Sequence, residues 1–204
     1  ANKVKGRCQA VAGGFVEYDS AGRQAAATKE YVLDNLADLL VELEASCLKN
    51  GVQVHWAEDA EQANRLILGM VSRAAPSALG VKGKSMATEE IGLNERLIQE
   101  GHQVVETDLG EFVVQLDDDV PSHIVTPIIH KDRTDVKRTF ESHGLSPRSD
   151  EPEELAAVAR ARLREEFRRA DVGISGVNFA VASSGRLVIV ENDRTPGPHC
   201  GHGT

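Results

Sequence analysis

The sequence predicts an α/β protein: a mostly parallel sheet with helices on both faces and an antiparallel strand extension at its C-terminal end. Three observations predict it. Short apolar runs alternate with helical patterns between residues 52 and 142, the signature of right-handed βαβ units. Within the helical patterns, apolar residues recur at three and four spacing. The end of the chain strings short apolar runs together, and Ser183-Ser184-Gly185 reads as a tight turn between two of them.

The elements follow in order. Residues 1–20 show no firm periodicity and read as an N-terminal arm. A first helix is expected over residues 24–50, with Val32, Leu36, Leu39, Leu43 and Cys47 as one apolar stripe and Gly51 past its end. Residues 52–56 alternate and read as a strand. Glu58 and Asp59 open a second helix whose inner face is Ala63, Leu66, Ile67, Met70 and Val71, with Pro76 beyond it. Residues 78–81 form a short buried strand that runs into the turn Lys82-Gly83-Lys84-Ser85. The helix after that turn extends to about Glu100, where Gly101 closes it. Residues 102–106 are the next strand, and Asp108 with Glu111 has capping-box spacing for a short helix to Leu116.

The acidic residues 117–119 read as a solvated loop, and residues 122–126 as a strand between Pro121 and Pro127. Residues 132–142 form a helix and 143–149 a loop. Asp150, with Glu153 three positions on, caps a long helix through Ala170, and Pro152 suits its first turn. Residues 171–175, 178–182 and 187–191 are the last strands. The α/β domain therefore covers residues 21–192, and residues 193–204 form a flexible Pro/Gly-rich tail.

Bulk properties narrow the function. The 204 residues are 41% hydrophobic and 27% charged, an ordinary balance for a globular domain with a sizeable core. A formal net charge of −9 argues against nucleic acid or an anionic membrane as a general partner. No apolar run approaches the roughly eighteen residues that span a bilayer, and residues 1–10 lack the apolar core of a signal peptide. A cytoplasmic protein without membrane insertion is expected. Cys8, Cys47 and Cys200 lie far apart with no Cys-x-x-Cys, so this chain alone builds neither a zinc ribbon nor a ferredoxin-type cluster.

Ligands of open parallel sheets bind outside the carboxyl ends of the strands. Residues 82–85, 106–108, 126–130 and 175–178 emerge there. Lys82 and Lys84 stand where a helix begins, the unfavourable end for a cation, while free N–H groups at a helix start favour an anion. An anion-binding turn and a solvated turn neutralised by Glu89 and Glu90 are equal readings. The turn is no Walker A motif, because position 78 is Ala where that motif needs Gly. Ser85 reads as a helix cap ahead of a nucleophile. Asp108 reads as a cap first and a ribose-binding acid second.

His123 and His130 flank a Pro-containing strand end, where a structural role comes ahead of acid–base work. In Gly173-Ile174-Ser175-Gly176-Val177-Asn178, the glycines permit close backbone approach to a ligand, and a plain turn explains them equally. His199, Cys200 and His202 lie close together in the tail, where disorder outweighs metal ligation, and no metal site is expected.

Several blocks occur in order: Val54-His55-Trp56-Ala57-Glu58-Asp59-Ala60, Val81-Lys82-Gly83-Lys84-Ser85-Met86, Thr88-Glu89-Glu90-Ile91-Gly92-Leu93-Asn94, Glu106-Thr107-Asp108-Leu109-Gly110-Glu111, Pro121-Ser122-His123-Ile124-Val125 and Gly176-Val177-Asn178-Phe179-Ala180. Over residues 31–192 the chain resembles the N-terminal domain of the lactate-utilisation iron–sulfur protein family, the B component of the bacterial L-lactate oxidation system. The resemblance implies a fold similar to the sugar-phosphate isomerase and coenzyme A transferase group. It implies a part in oxidising L-lactate to pyruvate, with electrons passing through iron–sulfur clusters in a multi-component complex. In the family, Glu191-Asn192 leads through a Gly-rich link into a cysteine-rich, ferredoxin-like domain; here Asp193-Arg194-Thr195-Pro196 follows instead. The chain thus reads as the α/β domain of a truncated or frame-shifted member, or as an excised domain, without the cluster ligands. It binds no cofactor alone, and [4Fe-4S] clusters are expected only in full-length members.

The resemblance supplies no catalytic residue for this domain. On residue chemistry, the ligand-binding candidates are Lys82, Gly83, Lys84, Ser85, Asp108, His123, His130, Gly176 and Asn178. The candidate bases are Glu89, Glu90 and His130. The first functional expectation is a component of an L-lactate oxidation complex, partnered by its other subunits and by a small organic anion. The alternatives are a stand-alone isomerase or acyl-CoA-transferase-like enzyme, and a non-catalytic anion-binding or interaction module able to self-associate.

Overall fold

A computed structural model describes residues 17–119, 128 and 130–190, together with Gly6, Gly13 and Gly14. The strand expected over residues 122–126, His123 within it, and the tail over residues 193–204 lie outside the described residues. The helices are α1 (Tyr18–Asp34), α2 (Leu36–Lys49), α3 (Ala60–Ala74), α4 (Met86–Glu90), α5 (Leu93–Gln99), α6 (Leu109–Leu116), α7 (Arg133–Ser142) and α8 (Pro152–Arg169). The strands are β1 (Leu79–Lys82), β2 (Gln103–Glu106), β3 (Val172–Ile174), β4 (Phe179–Val181) and β5 (Arg186–Val188). The chain divides into two compact units, residues 1–54 with 180–187, and residues 55–179 with 188–204.

In the first unit, α1 and α2 replace the single helix expected over residues 24–50. Asn35 separates them. Its carboxamide Nδ2 donates to the Tyr31 carbonyl at 2.8 Å, and its own N–H uses the same carbonyl at 3.1 Å. Asn side chains compete with the backbone in this way and favour helix ends. The apolar stripe is only partly covered: Cys47 is buried, whereas Val32 and Leu36 are exposed. Helix α2 closes as expected. The Gly51 N–H donates to Leu48 and the Val52 N–H to Cys47, each at 3.0 Å, the Schellman pattern. Those bonds are one reason residues 52–56 form no strand, since the Val52 N–H already serves the helix end. The β4–β5 turn is anchored here. Asn50 Nδ2 donates to the Ser184 carbonyl at 2.8 Å, and the Cys47 thiol approaches the Gly185 carbonyl at 3.8 Å.

In the second unit, the sheet runs in the order β2-β1-β3 with every pairing parallel. Every residue of β1 is buried, as befits a central strand. Adjacent β2 residues face opposite sides of the sheet. Val104 joins Val71, Leu93 and Leu97, from α3 and α5. Val105 packs on the cluster of Phe112, Val113, Phe140, Leu155 and Leu163, from α6, α7 and α8. Helices therefore cover both faces, and β4–β5 supplies the separate antiparallel extension; the α/β class read from the sequence is the observed one. Gln115 of α6 serves the outer edge of β2: its Nε2 donates to the Val104 carbonyl at 2.8 Å, and its Oε1 accepts the Glu106 N–H at 3.0 Å.

Three boundaries differ from expectation. The helix expected from the lysine turn to Glu100 is two helices, because Gly92 adopts a left-handed φ of 62° and interrupts the ladder. Lys82 belongs to β1 rather than to the turn, paired in register with both Glu106 and Ile174. Helix α8 starts after Glu151, which makes no side-chain cap; Pro152 occupies its first turn, so Asp150 is not the cap. Asp59 and Asp108 do cap α3 and α6, accepting from Gln62 N–H at 2.7 Å and Glu111 N–H at 3.1 Å.

Candidate functional site

A cleft of about 540 Å³ opens at the carboxyl ends of β1, β2 and β3. The segment after β1 contributes Gly83, Lys84, Ser85, Met86 and Ala87. Thr107 and Asp108 enter after β2, and residues 175–178 enter after β3, opposite Ile189 and Val190. The strand ends dictate this convergence. The Gly83 N–H donates to the Ile174 carbonyl at 2.8 Å, carrying the ladder one step past β1. The Thr107 N–H and hydroxyl both donate to the Lys82 carbonyl, at 2.9 and 3.0 Å.

The loops also hold each other. Ser85 caps α4: its Oγ accepts the Thr88 N–H at 3.4 Å, and its carbonyl accepts the Thr88 hydroxyl at 2.8 Å. A Cβ on Gly176 would lie 3.2 Å from Ser85 Oγ and 3.3 Å from Ser85 Cβ. Gly176 thus allows the two loops to meet, a close approach to protein rather than to ligand. Asn178 fixes the far wall: its N–H donates to the Val188 carbonyl at 3.0 Å, and its Oδ1 accepts the Val190 N–H at 2.7 Å.

The two lysines of the turn have different environments. Lys82 is 1% exposed and does not line the cleft. Its Nζ lies 2.8 Å from Glu106 Oε1, which also accepts Asn94 Nδ2 at 2.7 Å. Burial pushes the Glu106 carboxyl above its ordinary range, against the pull of Lys82 and Asn94. Lys84 does line the cleft. Its side chain is 41% exposed, with Nζ 3.9 Å from the buried Glu111 carboxylate. At that separation the pair is long, and the ammonium keeps access to the cleft. This cluster offers a positive head, the Ser85 hydroxyl and the Asn178 amide, while the Thr107 and Ser175 hydroxyls donate to the Lys82 and Gly176 carbonyls.

The structure therefore brings Gly83, Lys84, Ser85, Asp108, Gly176 and Asn178 together and leaves Lys82, Glu89, Glu90 and His130 outside the cleft lining. Glu89 is half-buried and Glu90 exposed on α4, and neither lines the cleft. His130 sits apart, with Nε2 2.7 Å from Asp119 Oδ2. Beside it Lys131 Nζ donates to Asp117 Oδ2 at 2.6 Å, and that oxygen also accepts the Thr139 hydroxyl at 2.7 Å.

Among the buried polar groups that sequence reading missed are Glu106, Glu111 and His102. Opposite charges closing two neighbouring strands were the available signal for Glu106. His102 forms a Ser–His pair, its Nε2 3.0 Å from Ser72 Oγ. Its Nδ1 accepts the Ala78 N–H at 3.1 Å, so in the neutral ring the proton is on Nε2 and points to Ser72. That tautomer cannot take a proton from the serine, and the pair is structural.

Among the described residues no group of three His, Cys, Asp or Glu side chains is placed to hold a metal ion. Cys47 is buried against Gly185, so the described residues do not fit an iron–sulfur cluster. No helix among them is long and apolar enough to cross a membrane.

Fold and site define an α/β domain with a polar cleft at the carboxyl ends of parallel strands. The chain belongs to the LUD domain family, which matches residues 40–198. It is 47% identical over 165 residues to lactate utilization protein B of Oceanobacillus iheyensis, covering 81% of this chain and 34% of that protein. A lactate utilization protein B from an Exiguobacterium species is 48% identical over 165 residues, covering 81% and 35%. The uncharacterized electron transport protein YkgF of Escherichia coli is 42% identical over 170 residues, covering 83% and 36%. The chain spans about a third of the length of the curated relatives it matches. No solved structure matches it.

Proposed function

We propose that this α/β domain serves a component of an L-lactate oxidation complex by binding a small organic anion in its strand-end cleft. The observation that carries the reading is Lys84, a half-exposed cation in a cleft that also presents the Ser85 hydroxyl, the Asn178 amide, glycine backbone, the capping Asp108 carboxylate and several apolar side chains. A lysine acts here as a point charge toward a carboxylate. The names of the relatives support the pathway, and the extent of the match supports a shared domain. On this reading, electrons pass through [4Fe-4S] clusters held outside the described residues, and the other subunits of the complex complete the oxidation of lactate to pyruvate. A base drawn from Glu89, Glu90 or His130 is less favoured, because none of them lines the cleft.

Titration calorimetry with acetate, L-lactate, pyruvate and inorganic phosphate tests the reading, on the wild type and on Lys84→Gln. At least one carboxylate binds the wild type, and Lys84→Gln weakens it at least tenfold. Equal affinity in both proteins, or no heat from any anion, removes the basis of the proposal.

A further inference from the structure

The cleft is larger and more apolar on one side than a three-carbon acid requires. Its 540 Å³ is in the range of sites that take drug-sized ligands. A six-heavy-atom acid would fill only part of it. Met86, Val177, Ile189 and Val190 line the same cleft and are 56, 49, 40 and 60% exposed. Isolated exposed apolar residues are ordinary, but several lining one concavity mark a binding surface. Their wall is fixed, because the bonds of Asn178 to Val188 and Val190 hold that strand end beside Val177.

Charge defines the other end. Among the described residues, Lys84 is the cationic side chain lining the cleft, and the Asp108 carboxylate accepts the Glu111 N–H as a helix cap. One ammonium with hydroxyl neighbours suits a single negative charge better than a polyphosphate.

We infer that the cleft takes an amphipathic monoanion, a carboxylate seated at Lys84 with an apolar body of more than three carbons lying along Met86, Val177, Ile189 and Val190. This rests on the proposed anion site and names its ligand class.

The test is calorimetry with straight-chain carboxylates from acetate to octanoate, with octanol as the uncharged control. The proteins are wild type, Lys84→Gln and Val177→Asp, with urea unfolding midpoints confirming that each variant is folded. In the wild type, affinity rises about fourfold per added methylene, octanoate outbinds octanol at least tenfold, and Val177→Asp abolishes the chain-length gain; its added carboxylate weakens acetate as well, so the slope with chain length is the readout. Equal binding of acetate and octanoate in the wild type overturns the apolar wall and leaves the anion site standing. Octanoate binding unaffected by Val177→Asp places the tail elsewhere and also overturns the inference. Affinity for every carboxylate unchanged in Lys84→Gln overturns the anion site and the inference together.

Discussion

Lys82 and Glu106 stand opposite each other at the carboxyl ends of two adjacent parallel strands, Nζ 2.8 Å from Oε1, with side chains 1% and 6% exposed. A buried pair of this kind stabilises little against a well-packed apolar replacement, yet losing one partner is costly. Lys82→Met or Glu106→Met alone should destabilise the protein by about 3–5 kcal/mol. The double substitution should recover most of that loss. Urea unfolding of the four proteins measures the coupling; additive losses would contradict a direct pair.

The same pair has a pH signature. Burial raises the Glu106 carboxyl above 4.5, its ordinary value, despite Lys82 and Asn94. The folded state therefore holds this proton to higher pH than the unfolded chain does. Its contribution favours folding below about 4.5 and is lost as pH rises through the folded value. A carbon-13 titration of the Glu106 carboxyl should give a midpoint above 4.5, moved further up by Lys82→Met. A midpoint at or below 4.5 would refute it.

Asp117 behaves in the opposite sense. Burial works to raise its carboxyl, but hydrogen bonds from Lys131 and Thr139 and the Lys131 charge outweigh it and hold it below 3.8. This stabilisation is present above about 3.8 and lost as pH falls through the folded value. Asp117→Asn should cost about 1–2 kcal/mol at pH 7, a modest figure because solvent still reaches the group. The difference from wild type should shrink in acid. Unfolding curves at pH 7 and pH 3 measure it, and an equal gap at both would count against the network.

Gly185 sits at φ 65°, where a Cβ would lie 2.8 Å from the Ser46 carbonyl carbon and 2.9 Å from the Cys47 nitrogen. Gly185→Ala should therefore destabilise the hairpin anchor by about 1–3 kcal/mol. The readout is the Cys47 thiol, buried in this fold. In a background of Cys8→Ser and Cys200→Ser, its reaction with a thiol reagent should accelerate at least tenfold. An unchanged rate would show that the turn does not shield it.

These relationships differ in how far the sequence reveals them. The short apolar runs and capping residues locate β1, β2, α3 and α6, because their signals are local: Asp59 and Asp108 reach N–H groups three residues on. The cleft residues of the Lys84 turn and the residues after β3 are readable from the rule that ligands bind at strand ends. Lys82 was not separable from Lys84 in the sequence, because its burial follows from the Lys82–Glu106 register, a pairing across 24 positions. The break at Asn35 turns on one side-chain bond that helix periodicity does not register. The structural tautomer of His102 likewise depends on the Ala78 backbone, brought to it by the β1–β2 pairing.

The measurement closest to the central claim is an amide NMR titration of the isotope-labelled protein with pyruvate and with octanoate. Saturable shifts centred on Gly83, Lys84, Ser85, Gly176 and Asn178 are expected, absent in Lys84→Gln. Shifts centred instead on His130 and Lys131, or no saturable shift with either carboxylate, would contradict that claim.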